Sequence, residues 1–497
     1  MYEGTPRELF ARYALPQMIG LLFNSVYLIV DGVFIGHRLG TDAMAAAAVS
    51  VPLMEILIAL SMAIASGAGV LISGHLSRGE GDRAVSIFNV AFSCSVGLGL
   101  LICVFGNVFI DGLARMLGST EDIHAEATEY MRYIVTFAPF QILSFLLSGL
   151  ARNDGRPKLA MIALAVGSCS NILLDWLFMY PLNLGIGGAA LATALGPIFS
   201  VVIILPHFVR ARGALRFRRT LPRPGEVGQI CALGFPSFIM EFTIGIITFV
   251  YNAAIVRWDY GELGLAAYLV IGYLMLIILT LFLGMAEGLQ PVFSYLTGTA
   301  DKQRSEALRR FSAAVFLAIG VACYVLIVFF AKYFFAIFNP GDAELLEFLN
   351  RRSAAYFCGF PLAGYALLMI SYWQSTRQTV KALVVSLSRS LVWPPILALA
   401  LPAIFGRETL WLCHSISEVL AAATAAGMVL ATSRSLRGGC GGWTPRGTPE
   451  GFLFVATKRN PSDSKEKNAF GCGGYTGNSV HQTGGYFRLL SLRFMPD

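Results

Sequence analysis

The chain has 497 residues, of which 56% are hydrophobic and only 13% charged, and its mean hydropathy is +0.66. A soluble domain carries about 25% charged residues to cover its surface, so a soluble enzyme, a nucleic-acid binder and a disordered scaffold are poor fits. The net charge of +7 is not a nucleic-acid footprint: residues 434–497 hold nine Lys/Arg against four Asp/Glu, which leaves +2 for the other 433.

Taken in chain order, hydropathy predicts twelve helical membrane spans, since a bilayer core needs about 20 apolar residues as helix. The leading MYEGTPRELFARYALP has no basic n-region before a short apolar core and no small-residue cleavage site, so it is not read as a secretory signal. The first span covers 9–36 and contains Pro16, Tyr27 and Asp31. Tyr27 and Asp31 are four residues apart and share a helix face. The second span, 44–74, contains Glu55 and runs into the Gly-rich ASGAGVLISGHLSRGEGD. That segment lacks the GK[ST] ending of a phosphate loop and follows no strand; its small residues suit close helix packing. The third and fourth spans cover 84–114 and 123–150, and the fifth covers 158–181. In the fifth, Asn171 and Asp175 again lie four apart on one face. The sixth, 187–209, contains Thr193, whose hydroxyl can complete a cluster with them.

A basic linker over 210–227 follows. The seventh span, 228–256, contains Glu241, and the eighth, 264–296, contains Glu287 in LGMAEGLQPVFSYLTG. Gly284, Gly288 and Pro291 in that stretch predict a broken or bent helix. The last four spans cover 307–336, 343–371, 379–402 and 409–432, with Arg389 in the eleventh and Glu418 in the twelfth. Residues 433–497 are Gly-rich, polar and aperiodic, which reads as a disordered tail without an assigned role. The apolar runs are continuous rather than alternating, unlike the strands of an outer-membrane barrel. The nine cysteines form no CxxC pair and sit mostly in apolar runs, where Cys packs as a small hydrophobe.

Lys and Arg in short loops set orientation. The side holding Arg7, Arg78, Arg156, the linker arginines, Lys302 and Lys381 carries 19 basic residues, against 8 on the other side. The N-terminus, linker and tail are therefore predicted cytoplasmic, and nearly all these charges are topology markers.

A shift of 220 residues overlays the chain on itself. Pro16 falls on Pro236, Ala46 and Ala47 on Ala266 and Ala267, Leu76 on Leu296, Arg132 on Arg352, and Phe137 and Phe140 on Phe357 and Phe360. Each half holds six spans, so the halves share one orientation and form a parallel repeat about an axis along the membrane normal. The expected fold is an all-α polytopic membrane protein with twelve transmembrane helices in two pseudo-symmetric six-helix lobes. The expected domains are an N-lobe over 1–209 and a C-lobe over 228–432. Two lobes that rock about a central cavity give alternating access.

Ionisable side chains inside spans are costly and mark functional candidates. They are Asp31, Glu55, Asp175, Glu241, Glu287, Arg389 and Glu418. Asp31 and Asp175, with oxygens from Tyr27, Asn171 and Thr193, have the donor set for a proton or a hard cation such as Na+, since burial favours the neutral form of a carboxylate. The alternative is that each acid is hydrogen-bonded structure, and Asp31 has the further alternative of lying near the outer interface. Glu287 is either a second-lobe cation or substrate contact or the structural partner of Arg389. Glu241 has the same two readings, and Glu55 and Glu418 are placed near an interface.

The residues resemble the multidrug and toxic compound extrusion family, in its bacterial multidrug-export branch. The resemblance covers residues 5–432 and rests on Pro16, VYLIVDGVFIGHRLGTDAMAA, GAGVLISGHLSRGEGDRA, ARNDGRPKLA, NILLDWLFMY with GIGGAALAT, and GLQPVFSYLTG. It implies twelve helices in two six-helix lobes and export of cationic amphiphiles in exchange for protons or sodium, at a bacterial plasma membrane. It also implies a first-lobe site on the positions of Asp31, Asn171, Asp175, Thr193 and Tyr27, with Tyr130 matched by spacing. Some members use an acid in the second lobe, for which Glu287 is a loose candidate.

The expected function is thus a cation-coupled drug or toxin antiporter, acting as a monomer without a cofactor. The alternative is a flippase for lipid-linked saccharides from the same superfamily, a class with larger and more basic cavities. No HExxH, Walker or other catalytic motif supports an enzyme or ATP-driven transport.

Overall fold

The computed structural model describes residues 3–218, 224–338 and 343–438. Most of the Gly-rich tail and linker residues 219–223 lie outside them. The described chain is all-helical. Lipid offers no hydrogen-bond partners, so a spanning backbone must satisfy itself, and continuous apolar runs do this as helix.

The first half has six long helices and one short one: α1 (Pro6–Leu39), α2 (Asp42–Ser77), α3 (Gly81–Val108), the short α4 (Ile110–Met116), α5 (His124–Asn153), α6 (Pro157–Met179) and α7 (Gly185–Val209). The second half has α8 (Pro224–Arg257), α9 (Gly261–Gly298), α10 (Lys302–Phe338), α11 (Ala343–Phe357), α12 (Phe360–Ser375), α13 (Thr379–Phe405) and α14 (Leu410–Gly438). Eleven of these are long and apolar enough to cross a membrane, and α11 with α12 forms a twelfth crossing bent by 44°. The helix starts pair off near the 220-residue offset: Pro6 with Pro224, Gly81 with Lys302, His124 with Ala343, Pro157 with Thr379.

Local chemistry explains the ends. Thr5 and Glu8 form a capping box at the start of α1, with Pro6 in the first turn. Gly40, at φ 91°, ends α1 and starts α2 within one residue, a conformation other residues adopt only with strain. At the bend between α11 and α12 the Gly359 N–H donates to Ser415 Oγ at 2.8 Å, and that hydroxyl donates to the Tyr356 carbonyl at 2.7 Å. A side chain from α14 thus replaces part of the lost helical bonding.

Apolar packing divides the molecule. One buried cluster gathers α8–α14 residues such as Phe282, Phe293, Phe316 and Phe360. Two others gather first-half residues such as Phe88, Leu146 and Phe208, and Ile35, Met131 and Ala189. The first turns of α1 are an exception: Leu9, Phe10, Tyr13 and Ala14 belong to the second-half cluster, with Phe10 edge-on to Phe311 at 5.8 Å.

The two halves meet along α2 with α8 and α1 with α9. Backbones touch there. A Cβ on Gly67 would strike the Ile230 carbonyl, and one on Gly234 would strike the Ala63 carbonyl. The glycine-rich end of α2 therefore serves close helix approach, as its composition predicts. Of the broken or bent helix expected in the eighth span, the break does not occur. The helix α9 runs unbroken from Gly261 to Gly298, and Gly284 and Gly288 admit the α1 backbone at Met18 and at Tyr13–Ala14. Among the described residues seven cysteines are free: Cys413 is buried, Cys94, Cys103 and Cys323 are half-buried, and Cys169, Cys231 and Cys358 are exposed.

Candidate ion-coupling site and central cavity

Asp31 on α1 and Asp175 on α6 lie side by side in the first bundle, at 7% and 0% exposure. Helical spacing puts their partners on the same faces. The Asn171 amide, assigned with its nitrogen toward Asp175, donates to Asp175 Oδ2 at 3.1 Å and accepts from the Thr193 N–H at 3.1 Å. Tyr130 on α5 is buried beside Asp31 and the Thr193 hydroxyl. Tyr27, half-buried, faces both acids. All six residues expected in this cluster are therefore together. Asp31 Oδ1 and Asp175 Oδ1 accept no hydrogen bond. Two carboxylates at close range in a poorly solvated setting repel, and one entering cation or proton relieves that repulsion.

Next to the cluster are two small cavities of about 460 and 350 Å³, both lined by Asn24, Tyr27 and Thr193. Tyr27 and Thr193 thus separate the acids from open space. Between the bundles lies a cavity of about 1750 Å³, open solvent included, with mainly apolar walls from α1, α2, α8 and α9. Its charged lining residues are all acids: Glu55, Glu241 and Glu287. The glycine contacts that join the bundles lie beyond one end of it, toward Gly67 and Gly298.

The alternative pairing of Glu287 with Arg389 is corrected. Glu287 Oε2 accepts from Gln17 Nε2 at 3.0 Å and lies 3.6 Å from Arg152 Nη2. Arg389 instead forms a two-point pair with Glu418, at 2.9 and 2.8 Å. Glu418 is buried, not interfacial, because α13 and α14 pack face to face inside the second bundle. Glu55 lines the central cavity.

Sequence reasoning missed two groups. Arg152 stands at the end of α5 and reads as a loop charge, yet its side chain turns inward. Asp154 follows it. Its Oδ2 pairs with His207 Nε2 at 2.7 Å, and its Oδ1 accepts from the N–H of Ala214 at 2.7 Å and Leu215 at 3.3 Å. Burial pushes the Asp154 carboxyl up from the ordinary carboxylate range, against the opposing pull of these bonds. The only sequence signal was an Asn-Asp-Gly turn joining two spans.

The two halves match one family profile separately, over residues 16–177 and 236–399, beginning on the paired Pro16 and Pro236. The chain belongs to the MatE family. It is 26% identical over 418 residues to the multidrug export protein MepA of Staphylococcus aureus (strain bovine RF122 / ET3-1), which spans 83% of this chain and 91% of that protein. Among solved structures it resembles an outward-facing multidrug resistance MATE family transporter of the MOP superfamily, with TM-score 0.81, 23% identity, and coverage of 88% of this chain and 97% of that one. It also resembles MATE in the straight conformation, with TM-score 0.81, 22% identity, and coverage of 88% and 98%. At that identity the structural likeness is one of fold: a MatE-type membrane protein with two six-helix bundles. These relatives are transporters, not enzymes.

Proposed function

We propose that this MatE chain is a secondary antiporter that exports cationic, amphiphilic small molecules in exchange for H+ or Na+ by alternating access. The observation that carries the reading is the pair Asp31 and Asp175, buried together with one unpartnered oxygen each. A coupling site needs this arrangement, because ion entry must change the balance of charge inside one bundle. In this reading Asp31 and Asp175 bind the ion, Asn171 and Thr193 hold Asp175 in place, and Tyr27 and Tyr130 shape the approach. Residues 1–209 and 228–432 are the two rocking lobes, with the helices of α1's first turns crossing to the second. With the basic loops cytoplasmic, the glycine-lined seam closes the cytoplasmic side and the large cavity opens outward.

Export of multiple drugs by the MepA relative supports this cargo, as does a cavity whose charged lining is acidic. The acidic lining weighs against the flippase alternative, whose anionic lipid-linked cargo calls for basic walls. Reconstituted protein loaded with ethidium and given a proton or a sodium gradient separately tests the reading. One gradient should drive export and thereby name the ion; no response to either shifts the assignment to a flippase.

A further inference from the structure

The central cavity separates its three acids into two kinds. Glu287 is already engaged by Arg152 and Gln17. Glu55 on α2 and Glu241 on α8 have no hydrogen bond or ion pair among the described residues, and both line the cavity. Glu241 is only 7% exposed, so its open carboxylate is a buried group aimed into a void. The charged groups within electrostatic reach of Glu241 are Glu55, Glu287 and Arg389. Arg389 is held in its two-point pair by Glu418. On the other wall, Glu55 shares its surroundings with Tyr27 of α1. Neither acid therefore has a protein cation available to it.

Glu55 and Glu241 belong to opposite bundles, and the space between them is walled by apolar groups such as Leu28, Ile58 and Leu269, with the Tyr268 and Tyr273 rings alongside. A buried charge left without a partner is costly. A ligand with one positive charge neutralises one carboxylate and leaves the other exposed to an apolar wall. A ligand with two satisfies both, and aromatic rings around it favour a flat, delocalised cation.

We propose that Glu55 and Glu241 form a two-point acidic clamp that selects flat organic dications and ties the two bundles together through the ligand. This deepens the export reading and rests on it. Because protons compete for both carboxylates, preference for a dication weakens as pH falls.

The probes are methyl viologen and N-methyl-4-phenylpyridinium, two-ring cations of matching shape that differ by one charge. Binding is measured on the full chain in nanodiscs of uncharged phosphatidylcholine, so that lipid charge does not discriminate. At pH about 8, where free carboxylates are ionised, the wild type should bind the dication about tenfold more tightly. Glu55→Gln and Glu241→Gln should each lower that affinity ratio about tenfold, with the monocation affected least. Equal affinities in the wild type, or a ratio unchanged in both variants, overturns the clamp. A pH series on the wild type needs no variant to fold: the ratio should fall toward pH about 5, and a flat ratio overturns the proposal. Failure of the export reading looks different, since selective binding would persist while neither gradient drives either probe across proteoliposomes.

Discussion

Arg152 and Glu287 lie 3.6 Å apart across the seam between the two repeats, with Gln17 of α1 bonded to the same carboxylate oxygen. Arg152 comes from the end of α5 and Glu287 from the middle of α9, so the pair forms only where the bundles touch. Removing one partner strands a buried charge. Glu287→Ala should cost about 3 kcal/mol of stability in this state, and the double change Arg152→Met with Glu287→Met should recover much of it. Spin labels at the exposed positions 83 and 310, in opposite bundles, give the matching conformational readout. Their distance should lengthen in Glu287→Ala. A double variant no more stable than the single one would show that the pair does not hold the seam.

Gly67 tests the seam sterically. Any side chain there meets the Ile230 carbonyl, a backbone atom that cannot swing aside. Gly67→Leu should fold, because overpacking costs about 1–3 kcal/mol, yet fail to close this end of the cavity. The same labels should report a longer distance than in the wild type, and substrate should bind without being exported. An unchanged distance would mean that the backbones are not in contact.

The repeat, the helical class, the twelve crossings and the first-bundle acids were all legible from the sequence. Asp31 and Tyr27, and Asp175 and Asn171, each sit four residues apart, so helix geometry alone puts each pair on one face. The meeting of α1 with α6 rested on the short list of intramembrane acids and on resemblance, since spacing within one helix says nothing about its neighbours. Long-range charge pairing was the weakest part. Glu287 has several arginines within one membrane depth, and only the packing of α5 against α2 decides that Arg152 reaches it. Gly284 and Gly288 did not announce their close approach for a related reason: glycine in a helix is compatible with a break, a bend or a close approach, and the α1 backbone at Tyr13–Met18 that they admit lies in the other half of the chain.

Asp154 carries a prediction about the linker. Its carboxylate accepts two backbone N–H groups from Ala214 and Leu215, and Asn89 on α3 bonds both the Arg216 carbonyl and the Arg218 N–H, at 3.0 Å each. The first part of the linker is thus fastened to the first bundle. Asp154→Ala leaves those donors and His207 unsatisfied and should destabilise by about 1–3 kcal/mol. Asp154→Asn keeps an acceptor and should cost less. Trypsin cleavage at Arg216 and Arg218 should accelerate in the alanine variant; equal cleavage would show that the fastening contributes nothing.

The most direct test of antiport centres on Asp31→Asn, which preserves shape and removes the charge that an ion would neutralise. Ethidium binding and ethidium export are measured on the same proteoliposomes, under whichever gradient drives the wild type. Coupling through Asp31 and Asp175 predicts binding close to wild type with gradient-driven export abolished. Export by Asp31→Asn at the wild-type rate would contradict it.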